Sequence, residues 1–187
     1  VLDHNDRIKE ILFTQLKDPH PTEEREHPPE GHAGYNNPAQ IAINAVRPLA
    51  LAALIGYSVR IANLRGYEGY SEEGESAFDP DVREKMERAI QDGSLSTRST
   101  IGRSLNTIWS FDHDLILDNF DTLFPRNQTI QAKNRFSAVW DAYLAFNGPH
   151  ETMFQHLRPC YRLGIDLIAA NENTATTNSS KQSTKKA

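Results

Sequence analysis

The sequence predicts an all-α protein, and three observations predict it. Apolar residues recur at helical spacing in almost every segment. Prolines and glycines fall between those segments rather than within alternating runs. No stretch shows the strict apolar–polar alternation of a half-buried strand. The expected arrangement is antiparallel helical hairpins stacked as a bundle or a short HEAT-like α-solenoid.

The first segment, residues 1–17, places Ile8, Ile11, Leu12 and Leu16 on one helical stripe. Residues 18–36 hold Pro19, Pro21, Pro28, Pro29, Gly31 and Gly34 with no periodicity, so they read as a long surface loop. "NPAQIAINAVRPLALAALIGYSVRIANL", Asn37 to Leu64, starts with an N-cap asparagine and a proline at the first helical position. It is apolar nearly all round, which predicts a central helix covered on both sides. Pro48 should kink it or split it in two. "FDPDVREKMERAIQDGS" carries Asp79 as N-cap and a thin stripe of Val82, Met86, Ala89 and Ile90, the pattern of a surface helix.

Four more helices follow, in "STRSTIGRSLNTIWSFD", "DHDLILDNFDTLFP", "QAKNRFSAVWDAYLAFNGP" and "PHETMFQHLRPCYRLGIDLIAA". They read as similar in length and joined by short loops, with Pro159 as an internal kink. Residues 37–170 are thus the expected helical core domain. Residues 171–187, rich in Thr, Ser, Asn and Lys, read as a disordered polar tail. The aromatic residues Trp109, Phe120, Phe124, Phe136, Trp140, Tyr143, Phe154 and Tyr161 are expected to meet in one core built by the last four helices.

Composition limits function. The chain has 187 residues, 38% of them hydrophobic, and a formal net charge of −5, which argues against a nucleic-acid partner. A single cysteine, Cys160, builds no disulfide framework and reads as a small buried residue, so a reducing, cytoplasmic setting is expected. No run reaches the roughly 18 apolar residues of a membrane span. The absence of an initiator Met suggests a fragment or a processed chain.

Candidate chemistry is sparse. His113-Asp114 resembles the centre of HD-type metal phosphohydrolases, the enzymatic alternative here. Such a site needs further ligands from other helices, and no histidine lies between His32 and His113. Asp112, His113 and Asp114 read better as the polar first turn of a helix. His27, Glu30 and His32 sit in the Pro-rich loop, a poor scaffold for a metal. No catalytic, cofactor-binding or metal residue is therefore assigned, and no cofactor is expected. Asn44 and Arg47, one turn apart, could form a polar joint between helices. The simpler reading is that Arg47 is met by a carboxylate or a helix C-terminus.

Two stretches resemble a known pattern. "AINAVRPLALAALIGYSV" is similar to an "AINSVRG-x-A-x-x-AL" helix, with Pro48 where that pattern has Gly. Phe124, Pro125, Trp140, Tyr143, Leu144, Phe154, Leu157, Arg158 and Tyr161 match a companion pattern. Both patterns resemble the helical-repeat regions of large bacterial STAND-type or sirtuin-type proteins of the antiphage-defence kind. The resemblance implies a non-catalytic scaffold or sensor segment of a larger protein. Its partners would be other domains of the same polypeptide or a separate protein, and the effector chemistry would lie elsewhere. An independent protein-binding domain is the remaining alternative.

Overall fold

A computed structural model describes residues 5–26, 37–67, 75–127 and 129–183. Among them every regular element is an α-helix and there is no strand. No helix is long and apolar enough to cross a membrane. The chain divides into two units, Val1–Gly148 and Pro149–Ala187.

The first unit begins with α1 (Asn5–Gln15) and a single turn, α2 (Glu23–Glu26). The half-buried side of α1 is Lys9, Leu12 and Phe13, continued by Leu16 just past its end; Ile8 and Ile11 of the expected stripe face solvent. Residues 27–36, most of the expected loop, lie outside the described residues, as do 68–74. Asn37 caps the next helix as expected, its Oδ1 accepting from Ala39 N–H at 2.9 Å.

The predicted long helix is two: α3 (Pro38–Ala42) and α4 (Val46–Leu64). Pro48 accounts for the split. It occupies the first turn of α4, where its missing N–H is one of the groups without an intrahelical partner anyway. α4 ends on Gly66, whose φ of +86° a side chain would resist. There Tyr67 N–H reaches back to Ala62 C=O at 3.1 Å, and Gly66 N–H to Asn63 C=O at 3.0 Å. α4 is not covered on both sides. Leu51, Leu54, Ile55, Ser58, Ile61 and Ala62 are buried, while Val46, Leu49, Ala53, Gly56, Arg60 and Leu64 form an exposed face.

α5 (Pro80–Gln91) buries the expected Val82, Met86, Ala89 and Ile90. The central helix is instead α6 (Leu95–Arg103), where every residue from Leu95 to Gly102 is buried. Its sequence, LSTRSTIG, is too polar to announce a core helix. It can be buried because its hydroxyls and cation find partners. Thr100 Oγ1 donates to Ser96 C=O, Ser94 Oγ accepts from Thr97 N–H, and Arg98 donates to the carbonyls of Ile90, Asp92 and Thr122. Small side chains also let neighbours close in. α6 packs most extensively on α10 (Ile130–Phe146), with α3, α4 and α5 on its other sides.

Where the sequence predicted two helices from residue 96 to Pro125 there are four: α6 and three shorter ones, α7 (Leu105–Phe111), α8 (His113–Asp118) and α9 (Phe120–Leu123), of 7, 6 and 4 residues. Beyond the break at Ser104, the breaks fall at Asp112 and Asn119, whose side chains bond to local backbone and compete with helix continuation. The helices after residue 95 are therefore unequal, unlike the even hairpins expected from spacing.

The second unit is α11 (Glu151–Ser183), with Pro159 inside it and Met153, Leu157 and Cys160 on its buried side. The helix continues through residues 171–183, where composition argued for a disordered tail. No proline or glycine follows Gly164 to stop it. The unit boundary at Gly148 also differs from the expected core of 37–170: α1 and α2 belong with the first unit and α11 does not.

Candidate functional site

Arg47 leads to the site. On α4 its guanidinium is mostly buried, and two partners hold it. Nη1 pairs with Asp92 at 3.1 Å and Nη2 donates to Pro21 C=O at 2.7 Å. Asp92 is also the C-cap of α5. A carboxylate, on the C-cap residue of α5, and a loop carbonyl thus meet Arg47 together, as a cation among apolar neighbours needs. Its Nε is buried without a hydrogen-bond partner among the described residues. Asn44 does not share these partners. It is exposed, and its Nδ2 donates to Gln40 C=O at 2.7 Å, so the expected joint between Asn44 and Arg47 is not formed.

Around Arg47, helices α1, α4, α5 and α6 enclose a cleft of about 200 Å³. Phe13, Leu16 and Ala89 supply apolar wall; Lys17, Arg47, Lys85 and Arg88 supply positive charge; Asp92 is the one carboxylate. That carboxylate is already used, Oδ2 by Arg47 and Oδ1 by the N–H of Ser94 at 2.8 Å. Lys85 Nζ stands 5.3 Å from the centre of the Phe13 ring. Arg88 also pairs with Glu84 one turn back. Thr97 reaches the cleft from the first turn of α6; it is 1% exposed and its Oγ1 has no partner among the described residues. The α6 N-terminus itself is satisfied from within the chain. Buried Glu26 accepts from Leu95 N–H at 2.8 Å and Ser96 N–H at 2.9 Å.

Other charged groups fasten helices together. Asp79 occupies the predicted N-cap of α5 but makes no side-chain cap bond; it binds Arg65 at 2.5 Å and Lys9 at 3.3 Å. The Arg65 hydrogen bond, then that of Lys9, holds the Asp79 carboxyl below the usual range against the opposing effect of burial. Arg83 joins Asp112 at 2.9 Å, Asp118 at 3.2 Å and Glu87. Burial, with the like charge of Arg135 second, pulls Arg98 down to about 10. Arg98 thus meets helix-end carbonyls rather than forming an ion pair.

At the HD pair, Asp112 caps α8 through Leu115 N–H at 2.8 Å, as its place before His113 predicted. His113 Nε2 lies 3.0 Å from Asp114 Oδ1, and its ring 5.7 Å from the indole of Trp109. Among the described residues no group of three or more His, Cys, Asp or Glu side chains could hold a metal ion. His27, Glu30 and His32 lie outside the described residues.

Of the expected aromatic core, Phe120, Phe124, Phe136, Trp140 and Tyr143 form a continuous chain of ring contacts at 5.0–6.3 Å in the first unit. Trp109 is buried. Phe154 and Tyr161 pair with each other at 5.4 Å on α11, but Phe154 is 46% exposed and is not a core residue. Arg158 is exposed. A second cluster, Tyr67 and Phe78 both in ring contact with Phe111, was not expected. The residues lining the cleft were also missed, Arg47 apart. Ser94-x-x-Thr97 has the spacing of a helix cap, the one local signal that pointed near it.

No family model, curated protein or solved structure matches this chain, so the reading of the site rests on its own residues.

Proposed function

We propose that the chain is a non-catalytic helical scaffold and interaction segment of a larger cytoplasmic protein, and that α4 presents its docking face. The observation that supports this reading is the open side of α4. Val46, Leu49 and Leu64 are 44%, 46% and 59% exposed, and the small residues Ala53 and Gly56 lie midway along the helix. The opposite side of the same helix is core. An apolar stripe on a helix anchored that firmly is the kind of surface that another element covers. Small residues at its middle let a second helix approach closely. α4 has no acidic residue, and Arg60 lies on the open face. The occupant is therefore an apolar helix ending in a carboxylate, from another domain of the same polypeptide or from a protein partner. In this reading the parent is of the STAND-type or sirtuin-type kind that the sequence resembles, with its effector elsewhere.

Ala53→Arg tests it. Residue 53 is exposed, so the substitution should leave the melting temperature of the isolated chain nearly unchanged. Protein isolated from its native cells should sediment in an assembly larger than the monomer, and Ala53→Arg should release it. A wild-type monomer, or an assembly indifferent to the substitution, overturns the reading.

A further inference from the structure

We infer that the cleft around Arg47 is a binding site for a small anion, a carboxylate or phosphate group carried on a compact apolar body. This goes beyond the scaffold reading and does not depend on it, since the cleft shares only Arg47 with α4 and uses none of the open face.

Charge is the first support. The chain is acidic as a whole, at −5, yet the cleft gathers four cations, of which Arg47 pairs with Asp92 and Arg88 with Glu84, leaving Lys17 and Lys85 in excess. The Asp92 carboxylate has both oxygens engaged, so it offers the other cations little. An anion entering here would meet Lys17 and Lys85 in a partly apolar setting, where attraction is stronger than in water.

The second support is independent of charge. Two donors at the cleft, Thr97 Oγ1 and Arg47 Nε, are buried with no hydrogen-bond partner among the described residues. A buried donor left unmade costs free energy, and folded proteins keep few of them. Here both belong to residues that line one cavity, and both suit oxyanion oxygens. The hydroxyl can donate a single bond, and guanidinium Nε is half of the fork that grips carboxylates and phosphates. Arg47 cannot swing away, because Asp92 and Pro21 fix its other end; it is pre-organised for what binds.

Shape sets the ligand class. About 200 Å³ is smaller than the roughly 300–1,000 Å³ of sites for drug-sized molecules. Phe13, Leu16 and Ala89 offer an apolar wall, with Lys85 over the Phe13 ring. A single-ring or short-chain acid fits; a nucleotide or a polymer does not.

Phenyl phosphate, benzoate and neutral phenol serve as probes, with titration calorimetry and thermal melting as readouts. Wild-type chain should bind at least one of the two anions at one site per chain and melt higher in its presence, while phenol has no effect. Preference for phenyl phosphate or for benzoate assigns the headgroup. Thr97→Val removes an unpartnered hydroxyl at nearly constant volume, so its own melt should not fall, yet its affinity should drop about tenfold, the loss of one hydrogen bond to a charged group. Lys85→Gln should weaken binding similarly, and Arg103→Gln, outside the cleft, should not. No saturable binding of either anion, or binding that Thr97→Val and Lys85→Gln leave intact, overturns the assignment.

Discussion

At Gly102 the backbone of α6 lies against that of α10. A Cβ placed there would stand 2.2 Å from the carbonyl oxygen of Val139 and 2.9 Å from its carbonyl carbon. Backbone cannot rotate aside as a side chain can, so the two helices would have to separate. Gly56 sits in the middle of α4 with nothing within 4 Å of its would-be Cβ. The same substitution should therefore act with opposite signs. Gly102→Ala should destabilise by about 3 kcal/mol, at the upper end for overpacking. Gly56→Ala should stabilise by roughly 0.5–1 kcal/mol through helix propensity alone. Urea titration of both variants measures the pair. Equal effects would show that α6 and α10 do not approach this closely.

Single elements in this protein are held by charge as well as by apolar packing. Asp79 ties the start of α5 to α1 through Lys9 and to the end of α4 through Arg65. Its folded pKa is depressed, so its contribution is present above the ordinary value of 3.8 and is lost as pH falls below that toward the folded value. Lys9 behaves in the other sense. The hydrogen bond to Asp81 raises it first, so its contribution is present below 10.5 and is lost as pH climbs through the raised value. Replacing Asp79 with Asn should cost about 1 kcal/mol at neutral pH, the scale of a partly exposed ion-pair cluster. It should also flatten the acid side of the stability profile. Chemical denaturation at a series of pH values below 5 checks this; an unaltered acid limb would mean that the cluster contributes nothing.

For the first unit as a whole, both tryptophans are interior. Trp109 is 6% and Trp140 4% exposed, and Trp140 lies between Phe136 at 5.8 Å and Tyr143 at 5.4 Å. Trp140→Ala should cost about 3–5 kcal/mol, as for a large aromatic removed from a packed core. If this unit unfolds as one, the Trp109 fluorescence left in that variant should change together with far-UV ellipticity, both at a lower urea midpoint. Separate midpoints would show that the aromatic chain and the helices around α6 are different cooperative blocks.

Periodicity and punctuation in the sequence determined the helical class, the capping of α3 by Asn37, the split just ahead of Pro48, the buried stripe of α5 and the Phe120–Tyr143 aromatic chain. All but the last depend on residues within a turn or two of one another, where spacing alone dictates which side chains share a face; in the aromatic chain spacing put Phe136, Trp140 and Tyr143 on one face, and the contact of Phe124 with that face is tertiary. The place of Arg47 among apolar residues also pointed to a partner, because a buried charge is costly unless paired. What it could not determine was which helix lies at the centre. Hydropathy favoured Asn37–Leu64, but the tertiary structure buries the Ser/Thr-rich α6 and leaves one side of α4 open. Burial of a polar helix depends on distant groups: Glu26 on its first amides, carbonyls of Ile90 and Thr122 on Arg98, and a carbonyl at Val139 that only Gly102 tolerates. The cleft has the same origin. Lys17, Arg47, Lys85 and Thr97 are scattered over eighty residues, and no local pattern links them; they meet because four helices converge on one guanidinium.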